Sequence, residues 1–148
     1  KFNGTSWEYV GEPGFSPGGI REIALAIDMD DKPVVVLSNY SARAKVMKFN
    51  GTEWIVLGHD NISSGRINYP DIAIDNNGVP FIVYQYSPKR SRETVKKLNG
   101  SKWETLEVEG FTSGKVAFTQ IVINLGMPYI AFQDYEKGSK ATVMRYEE

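Results

Sequence analysis

The sequence has no cysteine, so disulfides, thiol nucleophiles and thiolate metal sites are excluded, although the compartment is not fixed by this. Histidine occurs once, at His59. A His-pair metal site within one chain is therefore excluded, and a Ser-His-Asp arrangement would rest on one loop residue with no motif around it. No apolar run approaches the roughly 18 residues of a membrane helix, and no signal-like start is read. Strong charge of either sign is also lacking: 17 Lys and Arg against 18 Asp and Glu give a net charge of −1. Neither nucleic acid nor membrane is an expected partner. What remains is an ordinary globular composition over 148 residues, 41% hydrophobic and 24% charged, long enough for one core.

Tryptophan is scarce, and all 3 copies stand in one motif. Lys1-Phe2-Asn3-Gly4-Thr5-Ser6-Trp7, Lys48-Phe49-Asn50-Gly51-Thr52-Glu53-Trp54 and Lys97-Leu98-Asn99-Gly100-Ser101-Lys102-Trp103 begin 47 and 49 residues apart. Each reads as a strand end, an Asn-Gly turn and a Trp-led return strand. Asn-Gly suits a type I′ turn, whose two central residues both need positive φ. Repeats of this period mark arrays and propellers. Asn-x-Ser/Thr sequons fall at Asn3, Asn39, Asn50, Asn61 and Asn99, and three of them are these same turns, so turn chemistry explains them better than glycosylation.

Between the copies the same grammar recurs. Residues 1–2 are a strand stub, and alternation predicts an outer strand at 7–10. A Gly- and Pro-rich loop, 11–21, precedes strands at 23–28, 33–37, 44–49 and 54–57. The loop 58–69 precedes strands at 71–75, 80–84, 94–98 and 103–106. The loop 109–118 precedes strands at 120–124, 128–132 and 142–146. Pro33, Pro80 and Pro128 each open a second strand, where a missing donor does least harm. The units are thus 11–57, 58–106 and 107–146, the last with three strands.

The recurring Trp-x-x-Val/Leu, Phe/Ile-Ser/Thr-x-Gly and Asp/Asn-x-x-Gly-x-Pro-aromatic pattern resembles β-propeller repeats of bacterial and archaeal lectin-like and sialidase-like proteins. The resemblance runs over the whole chain and speaks to architecture more than function. The chain departs from named subfamilies: it has no Trp-Asp dipeptide and no Ser-x-Asp-x-Gly-x-x-Trp box. The implied fold is an all-β propeller with three four-stranded blades per chain. Three blades do not close a ring, since rings have typically four to eight. The expected solution is a homodimer with six blades, in which 1–10 completes the partner's last blade and 7–10 pairs with 142–146 of the other copy. Trp7, Tyr9, Val143 and Tyr146 are its expected interface residues. A fragment of a larger ring is the alternative.

In propellers the loops before the inner strands and after the second strands share one face, where ligands sit. Here those loops carry Arg21, Glu22, Arg66, Tyr69, Asp71, Lys115 and Gln120, then Asn39, Tyr40, Tyr86, Asp134 and Tyr135. Aromatic faces beside Asn, Asp, Gln and Arg suit a sugar: the ring stacks and the planar groups pair with hydroxyls. Interblade packing and strand-end packing are the alternatives for the aromatics. Asp28, Asp30 and Asp31 offer oxygens for Ca²⁺, but Asp75-Asn76-Asn77-Gly78 at the repeat position reads as a β-turn. No motif groups two carboxylates as glycoside hydrolysis requires. The expected function is non-catalytic binding of a carbohydrate or small polar ligand, without cofactor or metal. A protein-interaction platform and a glycan-cleaving enzyme are the alternatives. An extracellular or cell-surface setting fits slightly better than others.

Overall fold

The computed structural model describes residues 1–40, 43–59 and 62–147. Asn61, one of the sequons, and part of the loop after the second strand lie outside the described residues.

Among the described residues eleven strands form three antiparallel sheets. The first holds β1 (Ile20–Ile27), β2 (Pro33–Asn39), β3 (Ala44–Phe49) and β4 (Trp54–Val56) in sequence order. The second holds β5 (Ile67–Ile74), β6 (Pro80–Tyr86), β7 (Arg92–Asn99) and β8 (Lys102–Thr105). The third holds β9 (Val116–Asn124), β10 (Met127–Asp134) and β11 (Lys140–Arg145). The sheets stack face to face, with β1 against β5 and β5 against β9.

Alternation decides which faces meet. Val34 and Val36 of β2 point one way and join Ile67, Ile72, Ile82 and Tyr84 of the second sheet in one buried cluster. Phe81 and Val83 point the other way and join Ile121, Ile130 and Phe132 of the third. The middle sheet is thus covered on both faces, and all of β6 is buried although it contains Gln85. That strand reads as a continuous apolar run, as a doubly covered strand must.

The tryptophans tie each outer strand to the unit before it. Trp54 Nε1–H donates to the Val10 carbonyl at 2.9 Å, and Trp103 Nε1–H donates to the Leu57 carbonyl at 3.1 Å. The two acceptors are repeat equivalents. Gly11 and Gly58 follow them at φ 69° and 79°, and a Cβ there would meet the indoles at 3.1 and 2.6 Å. Glycine is required at both for conformation and for space. Trp103→Phe keeps the ring but leaves the Leu57 carbonyl without its donor. A loss of about 1–2 kcal/mol in urea unfolding is expected; an unchanged midpoint would mean the indole bond contributes nothing.

The Ser/Thr-x-Gly motif has a local cause. Ser16, Ser63 and Thr112 hydroxyls donate to the carbonyls of Gly18, Gly65 and Gly114 at 2.8, 2.8 and 3.1 Å, closing the same turn in each unit. Asp28 and Asp75 play one role as well. Each carboxylate accepts two turn N–H groups, from Asp30 and Lys32 and from Asn77 and Val79. Burial alone would raise the Asp28 carboxyl, but the Lys48 ammonium and these N–H groups hold it below the ordinary value.

Several expectations are corrected. The Asn-Gly turns are not type I′: Gly4, Gly51 and Gly100 have positive φ, but their asparagines do not. The Asn3 and Asn50 side chains instead accept the N–H groups two and three residues on, and each backbone closes with Asn N–H to the carbonyl three residues later. An Asx-type side-chain bond replaces the second positive φ. Within the single chain residues 7–10 form no strand: Phe2 and Trp7 form a single bridge, and Trp7 and Tyr9 are 82% and 83% exposed, so this segment is not part of the chain's own three sheets. Among the described residues no neighbouring strand pairs with this segment. The inner strands start about three to four residues before their expected positions, at Ile20, Ile67 and Val116, because each carries a bulge that the alternation pattern hides.

Candidate functional site

The bulges bring the inner strands' mouths together. Tyr69 on β5 and Phe118 on β9 sit in left-handed backbone, at φ 49° and 54°. Such conformations are uncommon for bulky residues and call for compensation nearby. For Tyr69 it is supplied from both neighbouring sheets. The Tyr69 N–H donates to the Glu22 carboxylate of β1 at 3.0 Å, and the Thr119 hydroxyl donates to the Tyr69 carbonyl. The two rings meet at 5.0 Å between centroids, tilted by 49°. Phe118 is 64% exposed and, with Ala131, Gln133 and Ser139, lines an open depression on the third sheet.

The acids at this end are occupied by the fold. Glu22 also accepts the Ser38 hydroxyl at 3.2 Å. Asp71 accepts the Ile121 N–H of β9 at 2.8 Å, so each carboxylate stitches its own sheet to the next. Asp134 is buried; it accepts the Glu136 N–H at 3.0 Å and the Thr142 hydroxyl at 3.4 Å, capping a short 3₁₀ turn at Tyr135–Lys137. Asn39 accepts the Arg43 N–H at 3.2 Å.

The other positions are scattered along the rim. Arg21 and Gln120 are exposed on β1 and β9. Arg66 donates to Asn68, whose amide reaches Gln85 at 2.7 Å and Ser87 at 3.1 Å. Lys115 lies 4.8 Å above the ring of Tyr135, which is 44% exposed. The three grouped tyrosines separate. Tyr40 and Tyr135 follow the ends of β2 and β10, whereas Tyr86 is the last residue of β6. One position earlier means the opposite face, so Tyr86 is buried in the core with its hydroxyl on Ser64. Tyr40 is exposed and stands over Gly19, where a Cβ would lie 3.3 Å from its ring.

Asn68 and the exposed Phe118 belong to this surface but were not among the candidate ligand-binding positions. Their signal is faint: an aromatic at the repeat position of Tyr69, and Gln85 and Gln133 following an aromatic in successive second strands.

Elsewhere, Glu93 on β7 is fully buried, and neither carboxylate oxygen has a hydrogen-bond partner among the described residues. Burial pushes this carboxyl up to about 8. It lines no cleft. The Tyr84 hydroxyl is also buried without a partner, and burial raises it above its ordinary value. Among the described residues no cluster of three or more His, Cys, Asp or Glu residues is placed to hold a metal ion.

Comparison with known proteins gives the fold a context. No family model matches the chain, and no curated protein matches it significantly. Solved structures do. A fucose lectin from Kordia zhangzhouensis, solved with methyl-fucoside, superposes with a TM-score of 0.57 at 9% identity, over 84% of this chain and 92% of that one. A protein of unknown function from Dyadobacter fermentans gives 0.55 at 10% identity, over 76% of this chain and 33% of that one. A thermostable family-43 glycoside hydrolase gives 0.55 at 14% identity, over 77% and 41%. The chain therefore spans a third of the Dyadobacter protein and 41% of the hydrolase. These likenesses establish an all-β, propeller-like fold of stacked antiparallel sheets.

Proposed function

We propose that this chain is a non-catalytic carbohydrate-binding module on a propeller scaffold, completed to six blades by a second copy. The observation that carries the reading is the Tyr69–Phe118 pair, two aromatic rings held by strained backbone at the mouth of adjacent inner strands. An exposed ring beside a planar amide suits the apolar face of a sugar; Gln133, which donates to the Ser139 carbonyl at 3.3 Å, and the exposed Gln120 carry polar groups for its hydroxyls. The acids on the same rim favour binding over hydrolysis: Glu22, Asp71 and Asp134 already accept hydrogen bonds from the fold. The lectin likeness points the same way, and two copies would present each site twice, which favours multivalent capture.

A glycan array followed by calorimetric titration of the best monosaccharide tests this. Weak binding is expected per site, with Phe118→Ala reducing affinity at least tenfold at unchanged stability, since the ring is 64% exposed. An empty array, or release of sugar from a bound oligosaccharide, would overturn the reading.

A further inference from the structure

We propose that the edge of the third sheet receives the tryptophan hairpin of a second copy, with the second copy's Trp7 seated beside Phe111 and its indole N–H directed at the Leu106 carbonyl. This rests on the two-copy ring proposed above and specifies the contact that closes it.

The argument is a contact seen twice and extrapolated once. Trp54 reaches the Val10 carbonyl and stacks on Phe15 with centroids 3.9 Å apart and planes 7° from parallel. Trp103 reaches the Leu57 carbonyl and packs against the cluster containing Ile62. One unit further, the same positions are Leu106 and Phe111. They line a pocket with Val95, Ile130, Met144 and Tyr146. The Leu106 carbonyl accepts a bond there too, from the Tyr146 hydroxyl at 3.3 Å. The only tryptophan that is not half-buried against a preceding unit is Trp7, at 82% exposure.

Register and charge agree. Phe49 pairs with Trp54 and Leu98 with Trp103; Lys48 pairs with Ile55 and Lys97 with Glu104. Carried to β11, the register sets Tyr146 against the incoming Trp7 and Arg145 against Glu8, opposite charges as in the Lys97–Glu104 pair. Within its own chain Trp7 bridges Phe2, which repeats the position of Tyr146. Exchange therefore trades one aromatic neighbour for its repeat equivalent, the economy of a domain swap.

The end faces match in the same way. Ile23, Leu25 and Ile27 of the first sheet are 52%, 60% and 52% exposed, although Ile72 and Ile121, at the repeat position of Leu25, are each 4% exposed. Val122 and Val143 on the far face of the third sheet are 62% and 68% exposed. One internal difference makes the proposal specific. Glu107 stands where Gly11 and Gly58 admit the indole and lacks their positive φ, so both its backbone and its Cβ hold an incoming indole further from the Leu106 carbonyl than in the two observed contacts. Its removal should tighten association.

Sedimentation of the full chain at micromolar concentration tests the closure, with folding checked by circular dichroism. The wild type is expected to be a dimer. Trp7→Ala, an exposed substitution, should weaken dimerisation at least tenfold, and Glu107→Gly should strengthen it. Because the chain lacks cysteine, Glu8→Cys combined with Arg145→Cys should give an inter-chain disulfide on a non-reducing gel. A monomeric wild type overturns the two-copy ring itself, and would be the result if the pocket takes a neighbouring repeat of a longer chain. A dimer that ignores Trp7→Ala and forms no such disulfide leaves the ring reading standing and overturns this contact. Phe118 and Gln120 share the exposed face of β9 with Val122, next to the proposed closure, so the glycan array is run on the assembly that sedimentation shows, and Phe118→Ala reads sugar binding there.

Discussion

Glu93→Gln is expected to leave stability nearly unchanged near pH 4 and to raise it by roughly 5 kcal/mol at pH 9. The reason is a proton. The buried carboxyl titrates at about 8 in the folded chain, against 4.5 for an ordinary glutamate, because burial penalises the anion and no donor compensates it. Below the unfolded value both states hold the proton, and the acid contributes no pH dependence. As pH rises from about 4.5 to about 8 the unfolded chain releases its proton while the folded chain keeps it, so stability falls through that window and levels off above it. Glutamine has nearly the same shape and no proton to lose. Urea titrations at several pH values would show the two proteins diverging across the window. Parallel curves would mean that the Glu93 carboxyl is hydrated or paired in solution and the assignment of a neutral buried acid is wrong.

Asp71→Ala should cost about 2–3 kcal/mol, most of it from stranding the Ile121 N–H between the second and third sheets. Asp71→Asn retains an acceptor oxygen and should lose about half as much, because a neutral acceptor makes a weaker bond than a carboxylate. Glu22→Ala should behave like Asp71→Ala at the other junction, where the Tyr69 N–H loses its acceptor. The two losses should add, since each bond joins a different pair of sheets. Thermal unfolding of the singles and the double measures this. Singles within about 0.5 kcal/mol of wild type would show that apolar packing alone holds the sheets in register.

Much of the architecture was legible because it is written in residues with single physical uses. Trp54 and Trp103 mark outer strands, and Pro33 and Pro80 open second strands as their missing donor requires. Period and alternation carried the three-sheet reading. Local detail failed where two solutions satisfy one sequence. Asn3-Gly4 and Asn50-Gly51 fit a type I′ turn on composition, but a side-chain acceptor lets asparagine keep an ordinary φ. The bulges at Tyr69 and Phe118 had no local mark, because neither residue favours the left-handed region. The Tyr69 conformation is stabilised by Glu22 and Thr119, contacts between residues 47 and 50 positions apart. Tyr86 misled for a simpler reason: one position in a strand exchanges rim for core.

The stacking order has a consequence for how the molecule comes apart. Each sheet leans only on its immediate neighbour, so cohesion is a chain of nearest-neighbour couplings in place of one central nucleus. The middle sheet enjoys two such couplings and its flanking partners one apiece. Backbone amides of β6 should then be the slowest to exchange with deuterated solvent, and in the dissociated chain opening should start from the first and third sheets and travel inward.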